Sequence, residues 1–242
     1  IAPTLSLILR IGDNFRVWAR AYIGRCICVW FLRSKHVLGA IIGGGISGLY
    51  FANQLQDKKN YDYIIYEKKA ELDLNDGYGI QLSVNSIELL NEIGFSNIAA
   101  KEISFPKKVN FLEAKTCKKI CDIDISKFNS ENKRYTTLKR SLLIKFLLDK
   151  ISAEKVKYNV EIIGIEHGKK IKLSLSNNST EEFDYLVVSD GVFSKTKSII
   201  LAKDTSPKFF NSVALRGNIK NIDSNDISVY LGPNFHFVTY PV

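Results

Sequence analysis

A glycine-rich turn between an apolar run and a helical pattern constrains this chain more than any other feature. Residues 37–42 read VLGAII, and Gly43, Gly45 and Gly48 follow directly with the spacing G-x-G-x-x-G. Apolar residues then recur every three to four positions over residues 46–55, which predicts a helix. A strand, a glycine turn and a helix in this order predict a dinucleotide-binding βαβ unit.

Each glycine has its own physical role in such a turn. Gly43 lets the chain turn sharply out of the strand, Gly45 leaves room for a diphosphate, and Gly48 allows the helix to pack closely on the strand. The diphosphate then binds at the helix N-terminus, at Ile46 and Ser47, where unpaired N–H groups favour negative charge. The alternative is a tight turn without a ligand, and the coincidence of strand, glycines and helix argues against it.

An acidic residue after the next apolar run indicates which dinucleotide binds. A strand is predicted over residues 61–66, and Glu67 follows it, 24 residues after Gly43. A carboxylate there can accept hydrogen bonds from an adenosine ribose and would repel a 2'-phosphate. The site is therefore predicted to bind FAD or NAD rather than NADP, with Lys68 as a further cofactor-binding candidate.

Composition is that of a globular protein with no visible metal site. The 242 residues are 45% hydrophobic, enough for one large domain or two small ones. The net charge is +9, but the lysines are scattered, which indicates a solvated surface rather than a nucleic-acid site. The three histidines lie far apart, and the four cysteines form neither a C-x-x-C pair nor a disulfide framework, so a reducing cytoplasm is predicted. These cysteines are Cys26, Cys28, Cys117 and Cys121.

Residues 1–35 differ from the rest of the chain. They carry six basic residues and one acid, with apolar residues at helical spacing, which predicts a basic amphipathic helix suited to a membrane surface or a presequence. The competing interpretation is that this segment is not native, because dinucleotide-binding domains usually begin close to their first strand. The absence of methionine also indicates a fragment or an upstream extension.

Hydrophobic periodicity predicts further elements. An antiparallel hairpin is expected with its turn near residues 115–118, placing Cys117 at the turn and Cys121 on the inner face. A helix is expected to be capped at Asn85 and to stop at Gly94. The other predicted helices are 141–151 and 194–202, and the other predicted strands are 158–165, 170–175, 183–189, 213–219, 227–231 and 235–240.

With these motifs in order, residues 36–242 resemble the single-component FAD-dependent aromatic hydroxylases, which include the para-hydroxybenzoate, salicylate and ubiquinone-pathway hydroxylases. The resemblance rests on the glycine turn with Glu67 and on four later motifs. These are Gly77-Tyr78-Gly79-Ile80-Gln81-Leu82, Arg140-Ser141-Leu142-Leu143, Asp190-Gly191 with Ser194 and Lys197, and Tyr240-Pro241.

The resemblance implies an α/β fold in which a Rossmann-like FAD-binding domain is interleaved with a β-rich substrate-binding region. The FAD-binding domain would comprise residues 36–102 and 135–204. The substrate-binding region would comprise residues 103–134 and 205–242, after an N-terminal extension over residues 1–35.

The resemblance also implies a reaction. NAD(P)H would reduce bound FAD, and O2 would form a flavin C4a-hydroperoxide that hydroxylates a small phenolic substrate. Arg140, Asp190 and Gly191 would contact FAD. A carboxylate at a strand end also lies at the ligand-binding edge of an α/β sheet, and capping the next helix is a compatible role for Asp190. No catalytic residue is assigned, and the substrate candidates are Arg216, which would pair with a carboxylate, His236 and Tyr240.

Two departures from the family pattern affect these expectations. The third FAD motif of the family should follow Tyr240-Pro241, so the sequence is expected to be truncated at its C-terminus, to hold FAD weakly and to be inactive alone. Lys197 stands where many relatives have Arg, which removes a bidentate phosphate contact. Two alternatives remain open: another FAD-dependent oxidoreductase on this scaffold, such as a prenyl reductase, and a non-catalytic nucleotide-binding module.

Overall fold

The computed structural model describes residues 7–9, 36–72, 74, 78–220 and 224–242. The chain divides into two compact units. The first unit comprises the described residues up to 72 together with Leu147–Val213, and the second comprises Leu74–Phe146 and Ala214–Val242. Along the sequence the second unit interrupts the first, as expected for an interleaved architecture.

Both units combine helices and strands, which confirms the predicted α/β class. The helices are α1 (Ile46–Leu55), α2 (Val84–Asn91), α3 (Arg140–Leu148) and α4 (Lys195–Leu201). The strands are β1 (Leu7–Leu9), β2 (Val37–Ile42), β3 (Tyr61–Glu67), β4 (Gly79–Leu82), β5 (Ile103–Ser104), β6 (Lys108–Glu113), β7 (Lys119–Asp124), β8 (Thr136–Lys139), β9 (Val156–Tyr158), β10 (Ile162–His167), β11 (Ile171–Leu175), β12 (Thr180–Phe183), β13 (Tyr185–Val188), β14 (Ile227–Leu231) and β15 (His236–Thr239).

A five-stranded sheet in the order β1-β13-β2-β3-β9 organises the first unit. Its last four strands are parallel, and β1 is antiparallel to β13. The apolar run of β2 is buried because neighbouring strands and helices cover it, with Ala40 and Ile41 inaccessible to solvent. The carboxyl ends of β2, β3 and β13 meet at one edge, which is where open α/β sheets bind ligands.

Helix α1 packs against this sheet through Leu49 and Ala52, both fully buried. The side-chain amide of the buried Asn53 donates two hydrogen bonds of 2.8 Å, one to the carbonyl of Leu49 and one to that of Leu147. A buried amide requires such partners. Asn53 therefore ties α1 to the chain at the end of α3.

A three-stranded antiparallel sheet, β10-β11-β12, completes the first unit. The alternating residues Ile171, Leu173 and Leu175 of β11 are buried and share a hydrophobic cluster with the central sheet. Two strands that were predicted as continuous are interrupted here. The 158–165 run breaks after Tyr158, where Asn159 has a φ of 57°, and the 183–189 run breaks at Asp184, whose carboxylate accepts a hydrogen bond from the Leu38 N–H at 2.9 Å.

The second unit contains a four-stranded sheet, β15-β14-β6-β7, and a three-stranded sheet, β4-β8-β5. The predicted hairpin is confirmed as β6–β7. Cys117 lies at its turn as expected, but the placement of Cys121 on an inner face is wrong, because this cysteine is exposed. β7 is the edge strand of its sheet, and its side chains are exposed over most of its length because little of the chain covers either face there.

Two other predictions require correction. Residues 213–219 alternate like a strand but form none, because no partner strand pairs with them in the described structure, and Leu215 is 94% exposed. Helix α2 begins at Val84, so its N-cap position is Ser83 rather than Asn85. Within residues 1–35 the structure describes only Leu7–Leu9, which form a strand and not a helix. The rest of the amphipathic helix predicted there lies outside the described residues. Among the described helices, none is both long enough and apolar enough to cross a membrane.

Candidate dinucleotide-binding site

Two glycines of the turn after β2 are required by the fold itself. Gly43 has a φ of +100°, and a Cβ there would lie 2.5 Å from the carbonyl oxygen of Ser189. A Cβ on Gly48 would lie 2.0 Å from the carbonyl oxygen of Gly43, so α1 could not approach the turn as closely. The sequence-based roles of these two glycines are the ones the geometry requires.

Gly45 differs from them, since neither its backbone nor its neighbours require a glycine. Its φ of −79° and ψ of −178° are extended values that any residue adopts. A Cβ on Gly45 would meet no atom within 4 Å. The space beside Gly45 is therefore open, and a methyl group would fill it. This is the geometry that close approach of a diphosphate to the backbone requires.

The first turn of α1 provides hydrogen-bond donors beside this space. Leu49 N–H bonds to the carbonyl of Gly45 at 3.0 Å and begins the helical pattern. Within the described part of the chain, the N–H groups of Gly45, Ile46, Ser47 and Gly48 have no acceptor, as is usual at a helix start. The N-terminus of a ten-residue helix with open donors favours an anion.

Glu67 lies at the end of β3 and is only 8% exposed. Its Oε2 accepts a hydrogen bond from Gly44 N–H at 2.8 Å, and its Oε1 accepts one from Lys69 N–H at 3.0 Å. Sequence reasoning placed Glu67 at the ribose and missed its contact with the turn. The signal was the middle glycine of the run Gly43-Gly44-Gly45, because a Cβ on Gly44 would lie 3.2 Å from Glu67 Oε2. Lys68 is exposed in the loop that follows.

Asp190 and Gly191 reach the same edge of the sheet from β13. Ser189 Oγ donates to the carbonyl of Ile42 at 2.8 Å, which fixes the end of β13 beside the end of β2. Asp190 Oδ2 accepts a hydrogen bond of 3.3 Å from Thr196 N–H, whereas Ser194 Oγ caps α4. Asp190 Oδ1 is buried and has no hydrogen-bond partner among the described residues.

An orphaned carboxylate oxygen costs free energy unless a ligand or water donates to it. A ligand hydroxyl would supply that donor. Gly191 follows directly, with a φ of +86° and no atom within 4 Å of its Cβ position. The sheet edge thus has an open cradle at Gly45, free helix donors and an unsatisfied acceptor, and these features fit a dinucleotide that carries a diphosphate and polyol hydroxyls.

In the second unit, three predicted site residues cluster around Tyr78 and Gly79. The guanidinium groups of Arg140 and Arg216 lie 5.7 and 4.7 Å from the centre of the Tyr78 ring. Tyr240 OH donates to the carbonyl of Gly79 at 2.6 Å. Arg216 was predicted on a strand and instead belongs to the irregular segment before β14, so cation–π contact rather than a sheet orients it.

His236, Tyr240 and Tyr135 are further polar residues of the second unit. His236 is the first residue of β15 and is exposed. Burial raises the pKa of the Tyr240 phenol, and the nearby Arg216 partly opposes this effect. Burial also raises the pKa of Tyr135, whose OH donates to Gln81 Oε1 at 2.8 Å. Both phenols therefore remain hydrogen-bond donors at neutral pH. Among the described residues, no group of His, Cys, Asp and Glu could hold a metal ion.

The chain is similar in sequence to a dinucleotide-binding domain and to known monooxygenases. Residues 41–73, from β2 to the loop after β3, match the model of an NAD(P)-binding Rossmann-like domain. The 3-amino-4-hydroxybenzoate 2-monooxygenase PtnB3 of Streptomyces platensis is 23% identical over 212 residues, covering 84% of this chain and 52% of the relative. The FAD-dependent monooxygenase dpfgE of Gibberella zeae is 27% identical over 163 residues, covering 65% of this chain and 35% of the relative.

A solved structure extends the likeness to the fold. The 2,6-dihydroxypyridine-3-hydroxylase from Arthrobacter nicotinovorans superimposes with a TM-score of 0.69 at 18% identity, over 86% of this chain and 52% of the hydroxylase. The chain is similar to FAD-dependent aromatic hydroxylases. The family resemblance and the Rossmann-like fold predicted from the sequence are thereby confirmed. The chain spans about half the length of the hydroxylase and of the Streptomyces relative.

Proposed function

We propose that this chain forms the FAD-binding part of a flavin-dependent monooxygenase that uses NAD(P)H and O2 to hydroxylate a small aromatic compound. The observation that carries the proposal is the open cradle at Gly45 beside the unsatisfied carboxylate oxygen of Asp190. The Streptomyces relative and the Arthrobacter structure support the reaction class, because both are named for the oxygenation or hydroxylation of an aromatic compound.

The residues of the first unit would divide the contacts with FAD among them. The free N–H groups of Gly45, Ile46, Ser47 and Gly48 would bind the diphosphate. Glu67 would bind the adenosine ribose, since a carboxylate that accepts two backbone hydrogen bonds still has lone pairs available. Asp190 Oδ1 would accept a hydrogen bond from a ligand hydroxyl, and the open backbone at Gly191 would lie beside the ligand. When bound, FAD supplies the acceptor for hydride from NAD(P)H and the chemistry that activates O2.

The second unit contains two arginines that are candidates for binding charged groups. Arg140 and Arg216 form no ion pair within the described residues, and both guanidinium groups lie at the ring of Tyr78. Two cations at one ring, with no ion-pair partner among the described residues, favour an anionic ligand group. We assign Arg140 to FAD, and Arg216 with Tyr240 to a substrate that bears a carboxylate or phenolate. His236, exposed on β15, is the weakest substrate candidate.

The domain assignment follows the same proposal. Residues 36–102 and 135–204 would bind FAD, residues 103–134 and 205–242 would bind substrate, and a cytoplasmic location would supply NAD(P)H. Contact of residues 1–35 with a membrane surface belongs to the proposal only as a prediction from their basic, apolar pattern.

A titration with FAD, followed by flavin fluorescence, tests the role of Asp190. We expect Asp190→Asn to weaken FAD binding about tenfold, because a hydrogen bond from a ligand hydroxyl to a charged acceptor is replaced by a neutral one. Asp57→Asn is the matched control, since Asp57 is exposed in the turn after α1. Equal affinities for the Asp190→Asn and Asp57→Asn variants would contradict the placement of Asp190 at the ligand.

A second candidate is a nucleotide-binding module that takes NAD(P) at the glycine turn. The match of residues 41–73 to an NAD(P)-binding domain favours it. Competition distinguishes the two candidates: FAD binding that an excess of NAD does not displace supports the flavin site, whereas binding of NAD with no uptake of FAD supports the module.

A further inference from the structure

The two carboxylate oxygens of Glu67 are both engaged by backbone N–H groups from different segments. Gly44 lies in the middle of the glycine turn after β2, and Lys69 lies in the loop after β3. Glu67 is 8% exposed, so these two hydrogen bonds lie largely away from solvent. Hydrogen bonding to a ribose would not by itself require Glu67 to bond to both the glycine turn after β2 and the loop after β3.

We infer that Glu67 is a positioning residue that holds the glycine turn in its binding geometry before a dinucleotide arrives. We call the two hydrogen bonds from Gly44 N–H and Lys69 N–H to the Glu67 carboxylate the latch. The identity of the ligand rests on the function proposed above, whereas the latch involves only residues of this chain.

The donors of the turn show what the latch does. Gly43 N–H is bonded to the carbonyl of Tyr66 at 2.8 Å, and Gly44 N–H is bonded to Glu67. The N–H groups from Gly45 onward are left for an anion. Glu67 therefore occupies the Gly44 N–H and leaves the later N–H groups of the turn available to the ligand. Its hydrogen bonds are charge-assisted and hence stronger than neutral ones. A turn held in this way loses less conformational entropy on binding.

The latch also explains the glycine at position 44, which the G-x-G-x-x-G pattern leaves free. A Cβ on Gly44 would lie 3.2 Å from Glu67 Oε2, 3.2 Å from Leu72 Cδ2 and 3.4 Å from Glu67 Cβ. These contacts are close enough to displace the carboxylate. Gly44→Ala should thus weaken the hydrogen bond between Gly44 and Glu67 while residue 67 remains glutamate.

The test measures amide hydrogen exchange by NMR in the chain without any dinucleotide. In Glu67→Gln, the amide oxygen can accept from only one of the two N–H groups, and the NH2 group faces the other. We expect exchange at Gly44 or Lys69 to become at least about tenfold faster, and at both in Glu67→Ala. Exchange at Leu173, in the core of β11, should stay unchanged. Glu182→Gln, an exposed site on β12, is the charge-matched control.

Three outcomes overturn the inference: unchanged exchange at Gly44 and Lys69, a uniform rise that includes Leu173, or an equal rise in Glu182→Gln. A double-mutant cycle gives a second readout, because Gly44→Ala should accelerate Lys69 exchange in the native background and have little further effect in Glu67→Ala. Independent effects in the two backgrounds would contradict the latch. Failure of the chain to bind FAD would refute the proposed function and leave the exchange result intact.

Discussion

We expect alanine at Gly48 to lower the stability of the fold and alanine at Gly45 to lower the affinity for FAD, although both glycines lie in the same turn. In Gly48→Ala the new methyl would lie 2.0 Å from Gly43 O and 2.8 Å from Ser189 Oγ. Overpacking against backbone costs about 3 kcal/mol, and the higher helix propensity of alanine returns about 1 kcal/mol. We expect a net loss of about 2 kcal/mol in the free energy of unfolding.

Gly45→Ala should have the opposite profile. Its methyl meets no atom within 4 Å, and its backbone angles suit alanine. The less favourable helix start and the reduced freedom of the unfolded chain offset each other to within about 0.5 kcal/mol. The methyl would occupy the space assigned to the diphosphate, so the affinity for FAD should fall at least about tenfold.

Thermal unfolding followed by circular dichroism, with FAD titration in parallel, checks both variants. The loss in Gly48→Ala corresponds to a decrease in Tm of about 4–8 °C for a chain of this size, while Gly45→Ala should unfold within about 2 °C of the native chain. The reasoning is refuted if Gly45→Ala loses as much stability as Gly48→Ala, or if it binds FAD as tightly as the native chain.

Three further substitutions test the packing of the first unit. Asn53→Ala should lower the unfolding free energy by about 2–3 kcal/mol in urea titrations, because it leaves the Leu147 carbonyl without its donor; a loss below about 0.5 kcal/mol would contradict this. Gly39→Ala should lower the unfolding free energy because its Cβ would lie 2.0 Å from the Tyr185 ring. Adding Tyr185→Leu should recover part of that free energy, and no recovery would show that the clash is elsewhere. The hydrogen bond from Lys155 holds the pKa of Asp62 below its ordinary 3.8. The stabilisation of the fold by this ion pair is therefore present above about pH 4 and is lost as the pH falls through the folded pKa of Asp62. Asp62→Asn should reduce the decrease of Tm at acidic pH, and an unchanged decrease would show that the Asp62–Lys155 pair does not contribute to it.

The elements with strong local signals were predictable. The β2–α1–β3 unit has a buried apolar strand, a glycine turn and a helical period, and each signal arises within about ten residues. The β6–β7 hairpin was also found, because alternation and a polar turn coincide. The segment 213–219 shows the limit of the same method. Alternation indicates a strand, but a strand also needs a partner, and pairing is not encoded in one segment.

The candidate site shows a similar division between local and long-range information. The glycines were predicted from their spacing in the turn, and Asp190 was predicted from its position at the end of an apolar run. The bonds of Glu67 to Gly44 and Lys69 were missed because they depend on side-chain geometry across the sheet edge. The meeting of Arg140 and Arg216 at Tyr78 joins residues 62 to 138 positions apart in sequence, and periodicity carries no information over that distance.

Titration of the purified chain with FAD, alongside Gly45→Ala, tests the central claim most directly. The account predicts saturable quenching of flavin fluorescence by the native chain that resists excess NAD, and an affinity for FAD that is at least about tenfold weaker in Gly45→Ala. Absence of quenching at any protein concentration, or equal quenching by the native chain and Gly45→Ala, would contradict the claim that the glycine turn is a flavin-dinucleotide site.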